Sequence, residues 1–234
     1  MVSSKLSSKI LVLILINLIL WIPFAYFDSV PFSEFYDKGK IFTTIYILLA
    51  YSFLFYIASL RLKLLLFVIV PLSYLGELIF STWLGMYEYR TIHVPLYVPF
   101  GHGVVFASSW ILSSNFKIRN FFNLNKKAFI LIYVLLFCFV ILYFRDTLSL
   151  FFGILFFLAL KRKKYNSFYL LMGFVVLYLE LLGTFYGCWK WKSDLGYLQT
   201  VNPPLGAIFI YVGGDMLLNK IVRKSLPLRR KKLI

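Results

Sequence analysis

Eight apolar stretches separated by short polar or basic breaks order the chain: Ile10–Phe27, Phe42–Leu60, Leu64–Leu84, Pro99–Ser114, Ala128–Phe144, Thr147–Leu160, Phe168–Tyr186 and Asn202–Leu218. Apolar runs of this length read as helices surrounded by lipid, since a bilayer core of about 30 Å takes roughly 20 helical residues. Only a helix satisfies its own backbone hydrogen bonds within each span. Thr147–Leu160 is short for a crossing and reads as a thin or tilted packing element. Pro71 and Gly76 interrupt the third stretch, and the tight basic turn Arg61–Lys63 precedes it. The first stretch reads as a span rather than a leader, because WIPFAYF offers only Ala25 among bulky residues where a cleavage site would need small ones.

A short pattern occurs twice between these stretches. TWLGMYEYR (Thr82–Arg90) and TFYGCWKWK (Thr184–Lys192) share the order Thr, aromatic, any, Gly, any, aromatic, any, aromatic, base. Each follows an apolar run with one internal carboxylate, Glu77 or Glu180. Each precedes a proline- and glycine-bearing segment, VPLYVPFGHG or VNPPLGA. Matching Gly85 with Gly187, Tyr87 with Trp189, Tyr89 with Trp191, Pro99 with Pro204 and Gly101 with Gly206 predicts one duplicated unit. The two glutamates are one residue out of step, eight before Gly85 and seven before Gly187. Either one half carries an extra residue or the two acids are not equivalent.

The expected fold is an all-α polytopic membrane protein of eight transmembrane helices, arranged as two parallel four-helix repeats. Residues 1–115 form the first repeat, 116–127 a basic cytoplasmic linker, 128–219 the second repeat, and 220–234 a basic cytoplasmic tail. Four spans per unit insert both halves the same way, which relates them by a pseudo-two-fold axis along the membrane normal.

Composition supports the membrane class: 61% of the 234 residues are hydrophobic and 21% aromatic, and the mean hydropathy is +0.84. The formal charge of +16 would fit a nucleic-acid partner, but its placement fits a membrane. On the eight-span map, 19 of the 25 Lys and Arg fall on the side of the N-terminus. The positive-inside rule then puts both termini in the cytoplasm and both motif loops outside, in what is expected to be the cell (inner) membrane. The RRKK run at 229–232 can also meet anionic headgroups. Cys138 and Cys188 read as unpaired thiols. With two histidines and no Cys-x-x-Cys, a protein-only metal site is not expected, nor is a cofactor.

Chemistry gathers at the motifs. A carboxyl group inside a membrane is expensive and faces protein or a water-filled cavity. Away from water such an acid favours its neutral form, so Glu77 and Glu180 are candidate proton donors. His102 opens the fourth stretch and can titrate near neutral pH. Tyr87, Tyr89, Trp189 and Trp191 are spaced by two, so in an extended segment each pair points to one side. They read equally as an interfacial aromatic belt or as the lid of a cavity. With Tyr74, Trp83 and Asn202 they complete the candidate pocket. Asn202 suits a helix N-cap, and Asp215 is expected to pair with Lys220 or a basic loop.

These motifs resemble the carotenoid hydratase family that includes bisanhydrobacterioruberin hydratase. Glu77, the Gly-x-Tyr-x-Tyr of Gly85, Tyr87 and Tyr89, and Val94-Pro95-Leu96 are similar to its first half. Gly187, Trp189, Trp191, Asn202 and Gly206 are similar to its second. The resemblance implies an intramembrane enzyme of carotenoid or isoprenoid lipids, with buried carboxylic acids protonating a double bond in a hydratase- or cyclase-like reaction without a cofactor. From the residues alone two other classes remain open: a proton-coupled transporter or flippase, and a non-catalytic lipid-binding scaffold.

The charge asymmetry generates one test. Single cysteines placed within 88–94 are expected to react with an impermeant maleimide on intact cells, and those within 162–164 only after permeabilisation. Reaction of both from one side would remove the map.

Overall fold

The computed structural model describes residues 8–161 and 166–225. The basic residues 162–164 and the RRKK run of the tail lie outside them. The described chain is helical apart from one two-stranded ribbon. The helices are α1 (Ser8–Phe27), α2 (Val30–Phe35), α3 (Lys40–Ile57), α4 (Leu60–Glu77), α5 (Tyr97–Ser114), α6 (Phe116–Leu124), α7 (Lys126–Phe144), α8 (Thr147–Leu160), α9 (Asn166–Phe185) and α10 (Ala207–Ser225). Each of the eight apolar stretches holds one long helix.

Five helical segments are long and apolar enough to cross a membrane: Ser8–Phe27, Asp37–Ile57, Leu60–Trp83, Lys126–Phe144 and Ser167–Phe185. α8 is too short. α5 carries His102, three glycines or prolines in its first two turns and a run of serines, and α10 carries Asp215 and a basic last turn. The polar content of α5 has a packing reason. Val104, Val105, Phe106, Ala107, Ser108 and Ser109 are all fully buried, so this helix meets α3, α4 and α9 rather than lipid. α1 and α7 show the opposite pattern and expose Leu13, Ile19, Leu135, Phe139 and Leu142.

The linker 116–127 is not plain loop. Asn115 accepts from the amides of Lys117 and Ile118 and starts α6. Phe122 is buried against Phe129, while Phe116, Phe121 and Leu124 are exposed. This amphipathic pattern suits a helix lying in the headgroup plane.

α4 does not stop at Glu77 but runs on as a π-helix, Leu78–Trp83. A π-helix accommodates one extra residue within a continuous helix. The π-helix lies between Glu77 and Gly85, the interval that is one residue longer than that between Glu180 and Gly187. Both glycines then leave their helices with positive φ, +59° at Gly85 and +70° at Gly187. This left-handed turn favours glycine and ends a helix.

After these turns the two motifs pair with each other. β1 (Tyr87–Tyr89) and β2 (Trp189–Trp191) run antiparallel with Tyr87 opposite Trp191, Glu88 opposite Lys190 and Tyr89 opposite Trp189. α10 begins at Ala207, five residues later than Asn202. The Asn202 side chain caps no helix: its Oδ1 accepts from the Trp191 amide at 3.0 Å, and the Gly206 amide is held by Ser149 Oγ at 2.9 Å.

Two buried aspartates secure the ribbon's flanks. Asp28, just after α1, binds Arg90 Nη2 at 2.6 Å and accepts from the Tyr97 hydroxyl at 2.6 Å. Asp146, just after α7, caps α8 through the Ser149 amide at 2.7 Å and accepts from Thr200 Oγ1 at 3.0 Å. Arg90→Ala leaves Asp28 buried with the Tyr97 hydroxyl but without its cation, which is expected to cost about 3–5 kcal/mol. Breaking the exposed Lys192–Glu88 pair is expected to leave the melting temperature nearly unchanged. Thermal unfolding in detergent compares the two variants.

Candidate functional site

The ribbon turns four ring donors onto two acids. Glu77 and Glu180 are 5% and 4% exposed. Glu77 Oε2 accepts from the hydroxyls of Tyr87 at 2.7 Å and Tyr89 at 2.6 Å. Glu180 Oε2 accepts from the indole N–H groups of Trp189 at 3.0 Å and Trp191 at 3.1 Å. Each acid is thus gripped by the aromatic pair of its own motif, an arrangement the spacing of two makes possible.

The second oxygen of each acid meets a ring from the helix that follows its motif loop. His102 Nε2 on α5 lies 3.0 Å from Glu77 Oε1, and the Tyr211 hydroxyl on α10 lies 3.4 Å from Glu180 Oε1. His102 and Tyr211 stack with centroids 4.5 Å apart. The rings of Tyr87 and Trp191 also touch, at 4.5 Å. Ring contacts therefore join the two carboxyl clusters on both sides. Burial and the nearby Glu77 charge push the Tyr87 and Tyr89 phenols well above their ordinary range. Both remain protonated donors at any physiological pH.

A cavity of about 470 Å³ lies beneath the ribbon, lined by both glutamates, His102, all four ribbon rings and Asp215. Leu75, Ile79 and Leu217 on its rim are exposed, which places an opening at the side of the bundle, between α4 and α10. A smaller space of about 80 Å³ lies towards α1 and α3, and Tyr89, His102, Trp189 and Tyr211 border both.

Glu77, Glu180, His102, Tyr87, Tyr89, Trp189 and Trp191 are brought together. Tyr74 and Trp83 are not. Tyr74 sits one position beyond Ser73, turned about 100° around the helix from the inward face. It is 46% exposed, Trp83 on the π-helix is 77% exposed, and neither lines the cavity. Trp83, at the end of its helix, suits the interfacial belt, while Tyr74 lies on the outer face about 13 Å further in. Asn202 supports the ribbon backbone from behind. Asp215 does not pair with Lys220; it is buried, and its Oδ2 has no hydrogen-bond partner among the described residues. Tyr211 was invisible in the sequence, one tyrosine of 17 in an apolar run. Among the described residues no three His, Cys, Asp or Glu side chains are grouped as a metal ion would need.

Comparison with known protein families, curated proteins and solved structures finds no match to this chain.

Cys188, buried with its thiol on the Ala25 carbonyl at 3.3 Å, gives a pH test. Burial raises its thiol from 9.0 to about 12. The folded state keeps the proton where the unfolded chain would lose it, so this contribution to stability is full below pH 9 and falls as pH rises from about 9 to 12. Iodoacetamide at pH 8 is expected to leave Cys188 unmodified in the folded protein and to alkylate it after denaturation, read by peptide mass spectrometry.

Proposed function

We propose that this is a multi-pass membrane enzyme that protonates a double bond of an isoprenoid lipid, in a hydratase- or cyclase-like reaction. The observation that carries the reading is the pairing of two buried, fully partnered glutamates with an aromatic cavity that opens sideways. Such an opening suits a substrate arriving from the bilayer. Protonating an alkene creates a carbocation, and aromatic faces attract cations through their quadrupoles. Carboxylates a few ångströms behind those faces add attraction where the medium screens it least. His102 joins Glu77 to the reacting space and can move a proton between them. Hydration adds the proton to one alkene carbon and water oxygen to the other, while the second water proton goes to a carboxylate. Cyclisation replaces the water with a neighbouring double bond and returns a C–H proton instead.

In this reading the chain crosses the membrane eight times with the ribbon on the outer side. The halves α1–α5 and α7–α10 are copies of one unit. The support is local: the matched motif residues Glu88 and Lys190 face each other at the centre of an antiparallel pair, as a two-fold axis through the ribbon requires. The matched spacing of the glutamates once the π-helix is counted, and the aspartates that end α1 and α7, point the same way.

The test compares lipid extracts of cells carrying the wild-type chain, a deletion, Glu77→Gln and Glu180→Gln. Both variants keep the side-chain shape but remove the carboxyl group. Each is expected to insert normally and to lower the product at least about 100-fold. Wild-type product from both, or an extract unchanged by the deletion, would refute the reading.

A further inference from the structure

Donating a proton to a carbon requires an acid that can touch that carbon. Glu77 and Glu180 are badly placed for this. Glu77 Oε2 is covered by two phenols and Oε1 faces His102. Glu180 Oε2 is covered by two indole N–H groups, which can only donate, so that oxygen must act as an acceptor. Each of these oxygens is covered by a ring, so the two acids present rings rather than a free O–H to the cavity.

Asp215 has the opposite surroundings. It is 3% exposed and lines the same cavity. Its Oδ2 is buried, with no partner among the described residues. The backbone is thinned around it. A side chain at Gly214 would meet nothing within 4 Å, and the same holds at Gly76 on α4, which also lines the cavity. An ionised carboxylate here would strand a charge with no partner, which buried sites avoid. A carboxylic acid with its O–H turned into the open space does not.

We propose that Asp215 is the catalytic acid, the group that contacts the substrate double bond and protonates it, and that Glu77 and Glu180 hold the negative charge that stabilises the resulting cation. This assignment rests on the isoprenoid reading above. The Asp215 O–H bond breaks and its proton bonds to the less substituted alkene carbon, using the π electron pair. The cation forms on the more substituted carbon. Water adds its oxygen there and loses a proton to Glu180 Oε1. Tyr211 is the return path: its hydroxyl lies 3.4 Å from that oxygen, and it stands one helical turn before Asp215 on α10. The hydroxyl accepts a proton from Glu180 and gives its own to a water in the cavity that both residues line, and that water protonates Asp215. The sum is alkene plus water to alcohol, with every carboxyl group restored.

Two experiments test this on the full chain. The first treats the wild-type protein in lipid nanodiscs with the apolar reagent dicyclohexylcarbodiimide at neutral pH, which adds to protonated carboxyl groups in apolar sites, and locates the adduct by peptide mass spectrometry. The expected adduct is on Asp215. An adduct on Glu77 or Glu180 with none on Asp215 overturns the assignment without any mutation. The second measures the product in extracts. Asp215→Asn is expected to lose at least about 100-fold, Asp215→Glu to recover part of it, and Tyr211→Phe to slow turnover while leaving the Asp215 adduct intact. Wild-type product from Asp215→Asn, with loss in Glu77→Gln, overturns the role of Asp215 and leaves the isoprenoid reading standing. A deletion that changes no lipid overturns both.

Discussion

The carboxyl groups of Glu77 and Glu180, two turns inside an apolar helix bundle, are met by two ring donors each, and supplying those donors organises this protein. Neither α4 nor α9 can supply them, because a helix spends its own N–H groups on its own carbonyls. The donors arrive from above. After each glutamate the helix ends on a left-handed glycine, and the chain turns back as a short strand whose alternate side chains reach down. A lone three-residue strand has no stable edge in such a place. Pairing β1 with β2 satisfies both backbones at once and sets all four rings over the two acids. The ribbon is therefore secondary structure in the service of two buried oxygen pairs.

The ribbon in turn needs fixed ends, and those come from a second layer of buried charge. Asp28 grips Arg90, whose amide also donates to the Cys188 carbonyl at 2.9 Å, so one residue ties α1, the end of β1 and the start of β2 together. Asp146 does the same work for the second loop without a cation, using the Ser149 amide and hydroxyl, Thr200 Oγ1 and the Val201 amide. One half solves the problem with an ion pair and the other with four neutral donors. Four donors can carry a buried carboxylate as well as a cation can, since each charge-assisted bond replaces one made to water.

Hydrophobic pattern made much of this legible. The eight apolar stretches fall on the eight long helices, and the spacing of two in both motifs fits the ribbon that turns the rings one way. Other features depend on contacts between distant residues and leave no local trace. The π-helix Leu78–Trp83 leaves no local trace in the sequence beyond the one-residue difference in the spacing of Glu77 and Glu180 from their glycines. Asn202 has the residue type of a helix cap, yet tertiary contact with Trp191 outweighs that preference. Tyr74 and Trp83 lie close in sequence to the site but on the wrong side of their helix. Asp28 and Asp146 carried a signal that could be read, since each directly follows the first apolar run of its half. Tyr211 and the unpartnered state of Asp215 carried none.

The two halves also show how one geometry takes on two chemical characters. Tyr87 and Tyr89 hold Glu77 with hydroxyls, which can accept as well as donate, and His102 adds a ring nitrogen at 3.0 Å. Trp189 and Trp191 hold Glu180 with groups that only donate, so its Oε2 is locked as an acceptor and exchange is confined to Oε1, where Tyr211 stands. Phenols on one side and indoles on the other therefore make the two carboxyl clusters chemically unequal within one cavity.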